Sequence, residues 1–194
     1  SKRKDDAYVF LLNVYLKTKN YHSALLIIEK IKNPDEKVKI AYQLSVYNVA
    51  VDFYLKGDFD QAMHWFQLVS KYNFDKTLLA EANFWQGEIK FKKKNFRGAI
   101  ESYQVFLASS NAVKSTYYQL GLYGIAYAQL KLRAYTKAFD NFIQFLSVYK
   151  GNDQKMKSDA SLRIGDIYFI QKAYTEAISY YQQAIEKSEF DNDY

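Results

Sequence analysis

Residues 174–184 read YTEAISYYQQA, in which Tyr174 is followed by Ala177, then by Tyr181 and Ala184 four and seven positions after that alanine. On a helix of 3.6 residues per turn, the last three side chains share one face. The same phrase stands four times upstream, as Tyr21-Ala24-Ile28-Ile31, Phe59-Ala62-Phe66-Val69, Phe96-Ala99-Tyr103-Phe106 and Tyr135-Ala138-Phe142-Phe145. Successive alanines are 38, 37, 39 and 39 residues apart. A fixed period of this size marks a stacked array in which no unit closes its own core. Such an array is a surface for holding something, and it argues against an enzyme.

Before each phrase runs a longer amphipathic segment. It carries a mostly small residue twelve positions ahead of the alanine: Leu12, Ala50, Gly87, Ala126 and Gly165. Glycine inside a helix costs roughly 1 kcal/mol relative to alanine, so Gly87 and Gly165 predict close approach of a paired helix. Two-residue corners separate the members of each pair: Lys19-Asn20, Gly57-Asp58, Lys94-Asn95, Arg133-Ala134 and Lys172-Ala173. Corners this short force antiparallel partners. The predicted helices are 5–18 and 21–32, 36–56 and 59–71, 77–93 and 96–108, 112–132 and 135–148, 155–171 and 174–188. Turn and capping residues fill the joints between pairs, as in Asn33-Pro34, Ser109-Ser110-Asn111 and Gly151-Asn152-Asp153.

Composition agrees. The chain has 194 residues, 49% of them apolar and 18% aromatic, with 19 tyrosines and 14 phenylalanines to build a continuous core. One proline and seven glycines leave little punctuation for sheets. Cysteine is absent, which removes disulfides, thiol nucleophiles and thiolate metal sites. The net charge of +6 is spread over many lysines. Its densest run, Lys90, Lys92, Lys93, Lys94 and Arg97, straddles a corner, where a solvated loop accounts for it.

The pattern resembles the tetratricopeptide repeat, in which a first helix carries an aromatic, a small residue and Tyr, and a second carries Ala and an aromatic four later. Ile164-Gly165 and Tyr168, followed by Tyr174, Ala177 and Tyr181, match it best. The resemblance covers almost the whole chain and implies an all-α, right-handed superhelical solenoid of five antiparallel helix pairs. The repeats fall at about 5–35, 36–74, 75–110, 111–151 and 152–190, in a single array expected to be a piece of a longer protein. Two departures stand out. The family's period is about 34 and most copies here lack the terminal proline. Lengthened units of this kind are similar to those of bacterial envelope proteins of the outer-membrane-assembly and Tol–Pal-associated types, which points to the periplasm or cell envelope.

In that family the first helices line a concave groove. Carried over to this chain, the groove rows are Val9, Tyr47, Phe84, Tyr123 and Leu162; Asn13, Val51, Glu88, Tyr127 and Asp166; and Leu16, Tyr54, Phe91, Leu130 and Phe169. The expected function is non-catalytic capture of a peptide or partner helix, with Tyr47, Tyr54, Phe84, Phe91, Tyr123 and Tyr127 as contact residues. The rival reading of the same aromatics is internal packing. The family's grip on C-terminal carboxylates uses Lys, Arg and Asn, which this chain replaces with Tyr, Phe and Val. A peptide-sensing regulatory domain is the alternative function, and a passive spacer the third.

No catalytic, cofactor or metal site is expected. His22 and His64 lack metal-ligand spacing, and no phosphate loop or nucleophile elbow occurs. Lysines fall at helix ends while aromatics follow the core period, which argues against nucleic acid. No segment is long and apolar enough to insert in a membrane. Terminal repeats with open apolar faces are expected to allow weak self-association.

Overall fold

A computed structural model describes residues 2–71, 73–151 and 154–189. They form five helical hairpins: α1 (Lys2–Lys17) with α2 (Tyr21–Ile28), α3 (Glu36–Leu55) with α4 (Phe59–Val69), α5 (Lys76–Lys92) with α6 (Phe96–Ala108), α7 (Tyr118–Lys131) with α8 (Tyr135–Val148), and α9 (Gln154–Ile170) with α10 (Tyr174–Glu189). Among the described residues there are no strands. Each helix packs on its chain neighbours, and α3–α5 and α5–α7 contacts join successive hairpins. That is the layout of a solenoid.

All five predicted corners have the same backbone. Lys19, Gly57, Lys94, Arg133 and Lys172 adopt φ between 56° and 79°, and the next amide reaches back to a carbonyl five residues earlier, as from Asn95 to Lys90 (2.9 Å). This bonding satisfies the last carbonyls of the first helix. Asn20, Asp58 and Asn95 then cap the second helix through their side chains, while Ala134 has none to offer.

The alanines of the repeated phrase are all buried. Opposite them lie the small positions of the first helices, whose size varies with the aromatic four residues after the alanine. Where the aromatic after the alanine is Phe66 or Phe142, the first helix has Ala50 or Ala126; each of these pairs shares a core cluster. Where it is Tyr103 or Tyr181, the first helix has Gly87 or Gly165. A Cβ on Gly87 would stand 2.7 Å from the Tyr103 ring, and one on Gly165 would stand 2.5 Å from the Tyr181 ring. The glycines therefore make room for a tyrosine ring, a more specific reason than close helix axes alone.

Helix boundaries differ from expectation mainly at 112–132. There a short 3-10 turn at 112–114 precedes α7, because the Ser115 hydroxyl accepts the Tyr117 amide and interrupts the ladder. The second helix of the first pair also stops at Ile28, after which Lys30 and Ile31 make tighter i→i−3 bonds.

Polar side chains pin the joints. Buried Gln43 accepts the Asp75 amide (2.7 Å) and faces the Val69 carbonyl; Gln119 donates to Val148 O (2.9 Å), and Ser158 to Ala184 O (2.6 Å). Each ties a first helix to the end of the second helix of its own pair, and Gln43 also holds the start of the next.

Candidate binding groove

The six aromatics expected to make contacts fall into two groups. Tyr47 and Phe84 are only 7% and 3% exposed. The Tyr47 hydroxyl donates to Glu81 and accepts from the Trp85 indole, both at 2.9 Å, while its ring meets Phe66 edge-on. Phe84 stacks on Tyr117 with centroids 4.8 Å apart. These two chiefly build the wall on which the others stand. Tyr54, Phe91, Tyr123 and Tyr127 are half-buried and keep part of each ring open. Tyr54 packs on Trp85 (4.7 Å) and Phe91 on Phe96 (5.3 Å). Tyr123 and Tyr127 lie 4.9 Å apart, and both hydroxyls donate to Asp159 of the next hairpin, that of Tyr123 at 2.5 Å.

Phe91, Tyr123 and Tyr127 come together with Glu88, Lys92, Tyr103 and Gly124 around a pocket of about 260 Å³. Trp85, Gly124 and Arg163 occupy matching positions 39 residues apart in α5, α7 and α9. The pocket opens where glycine supplies no side chain. Gly124 also admits Tyr103, whose ring lies 2.7 Å from the place a Cβ would take. From there the Tyr103 hydroxyl donates to Glu88.

Acidic residues in this face were not singled out from sequence, apart from Glu88 and Asp166, yet they organise it. Glu81 accepts from Tyr47 and from Ser115 (2.7 Å), joining three hairpins. Asp159 and Asp166 bracket Arg163, which bonds them at 3.3 Å and 2.7 Å, and Tyr181 donates to Asp166 (3.2 Å). Glu88 and Asp166 each follow one of the glycines that admit a tyrosine. That recurrence, Gly-acid with Tyr sixteen residues after the glycine, was available as a sequence signal.

Residues 123–192 match the family model for the tetratricopeptide repeat. The fold is a tetratricopeptide-repeat solenoid. Solved structures agree across nearly the full length at low identity. MamA superposes with a TM-score of 0.68 at 19% identity, covering 94% of this chain and 97% of that one. BtubC from P. vanneervenii gives 0.72 at 14% identity, covering 97% and 81%. PilF of Pseudomonas aeruginosa gives 0.62 at 15% identity, covering 96% and 77%. No curated protein matches the chain by sequence.

Elsewhere on this tetratricopeptide solenoid, the basic run is partly engaged: Lys93 pairs with Asp60 of the preceding hairpin, and Lys90 bonds Ser102 (2.8 Å). His22 and His64 lie edge-on to Phe53 and Trp65, both at 6.2 Å. Among the described residues, no cluster of three or more His, Asp or Glu has metal-binding geometry, and no helix is long and apolar enough to cross a membrane.

Burial pushes the Glu88 carboxyl above its usual range, against opposing pulls from the Tyr103 hydrogen bond, the Lys92 charge and Tyr54. Burial, followed by the charge of Glu88, pushes Tyr54 up to about 12. Folded Glu88 holds its proton to higher pH than the unfolded chain, whose carboxyl titrates at about 4.3. Its stabilising contribution is full below that pH and is lost as pH rises through the folded value. Urea midpoints of wild type and Glu88→Gln across that window should show a steeper fall for wild type; parallel curves would contradict the assignment.

Proposed function

We propose that this chain is a non-catalytic protein-interaction array that binds an extended peptide along its first-helix face. The observation that carries the reading is the set of half-open aromatics Phe91, Tyr123 and Tyr127 around one pocket, set against a rigid wall containing Tyr47 and Phe84. Ring surface that is held in place by packing loses little entropy on binding, so each ring contributes its buried area with small ordering cost. Helix-borne side chains on a packed scaffold meet that condition. The pocket is also smaller than the ~300–1,000 Å³ of typical small-molecule sites, which favours side-chain capture.

A random dodecapeptide library displayed on phage and selected on the whole chain provides the test. Selected peptides should lose about tenfold or more in affinity against Phe91→Ser, within the range for a buried aromatic anchor. They should be unaffected by Val105→Ser, which alters an exposed residue of a second helix. Equal affinity for both variants would remove the groove as the binding surface.

A further inference from the structure

We propose that the pocket over Glu88 receives a lysine or arginine side chain of the bound peptide. The inference rests on the groove reading above and names the chemistry at one point along it. Three observations carry it.

The first is an internal comparison. Glu88 and Asp166 occupy the same place in their hairpins, each one residue after a glycine and each accepting a tyrosine hydroxyl, from Tyr103 and Tyr181. Asp166 is completed by the Arg163 guanidinium at 2.7 Å. At the position matching Arg163, α5 has Trp85, and among the described residues Glu88 has no salt bridge. The same carboxylate device is thus closed by a hydrogen-bonded cation in the fifth hairpin, whereas in the third Lys92 acts on Glu88 through its charge without an ion pair.

The second is the wall. Phe91, Tyr103, Tyr123 and Tyr127 line the cavity beside that carboxylate. Aromatic faces attract a cation, and the attraction strengthens when the site is partly desolvated. A long aliphatic stem with a charged end suits apolar sides and an acidic floor.

The third is size. At about 260 Å³ the cavity suits one side chain, and it adjoins the face on which the peptide is proposed to lie. Lys92, exposed at the rim, opposes an incoming cation and should weaken binding without preventing it.

The test uses three defined probes on the whole chain: N-acetyl-lysine methylamide, N-acetyl-arginine methylamide and the neutral N-acetyl-norleucine methylamide. Each is titrated while the amide resonances of Glu88, Gly124 and Tyr127 are followed by NMR. The cationic probes should shift these resonances saturably, and the norleucine probe should bind about tenfold more weakly. Glu88→Gln, which keeps an oxygen to accept the Tyr103 hydroxyl, should bring the lysine probe down to the norleucine level. Lys92→Ala should tighten the lysine probe about twofold to threefold. Equal binding of norleucine, undiminished lysine binding by Glu88→Gln, or no shift from any probe would each overturn the cation assignment. None of these outcomes removes the groove, whose separate test is the Phe91→Ser comparison.

Discussion

Phe142→Ala is expected to lower the free energy of unfolding by about 3–5 kcal/mol. Phe142 is fully buried and belongs to the cluster formed with Leu122, Ala126, Ile164 and Ile167. Its ring meets Tyr127 edge-on at 5.4 Å and Tyr123 at 6.0 Å. It therefore joins α7, α8 and α9 in one core and braces two of the half-open tyrosines. In a quasi-one-dimensional array, damage at one interface uncouples the units on either side. Urea unfolding of the variant should accordingly broaden or split, with the first three hairpins melting later. A loss below about 1 kcal/mol would show that the cluster relaxes around the missing ring.

Gly87→Val is expected to cost about 3 kcal/mol, at the upper end for overpacking a core. The added Cβ would stand 2.7 Å from two Tyr103 ring carbons, and Tyr103 is fully buried with its hydroxyl tied to Glu88. The ring can yield only by giving up its hydroxyl bond to Glu88 and moving toward the pocket it lines. A double-mutant cycle isolates the cause: Gly87→Ala with Tyr103→Phe reproduces the alanine–phenylalanine pairing of Ala126 and Phe142. The pair should cost less than the sum of the single changes, because a ring without the hydroxyl tether can shift. Additive costs would mean that the glycine serves the backbone.

Hairpin number, corner positions and the buried alanines were legible in the sequence because they rest on local rules repeated five times. One alanine could be misread, but Ala24, Ala62, Ala99, Ala138 and Ala177 at a near-constant spacing could not. The break before α7 was missed because it depends on Ser115, whose hydroxyl serves both the local backbone and Glu81 from another hairpin. The family's groove positions, carried over to this chain, also placed Tyr47 and Phe84 in the same row as Tyr123 without separating wall from open surface. That division depends on Trp85 and Tyr117, which close over the first two, and on Gly124, which stands in α7 where α5 has Trp85. The links between tyrosines and carboxylates, Tyr47 with Glu81 and Tyr123 with Asp159, join residues 34 and 36 apart. A search along each helix face alone does not reveal them.

Four of the five corners place a lysine or arginine in the left-handed conformation that glycine enters without penalty. An ordinary side chain there carries roughly 1–2 kcal/mol of steric cost, but each cation also sits at the negative end of a first helix, where it recovers about 0.3–1 kcal/mol at low ionic strength. Lys19, Lys94, Arg133 and Lys172 are thus partly compensated by a term that dissolved salt screens. The solenoid carries a built-in ionic-strength dependence at its bends: concentrated electrolyte strips away the compensation and leaves the torsional cost.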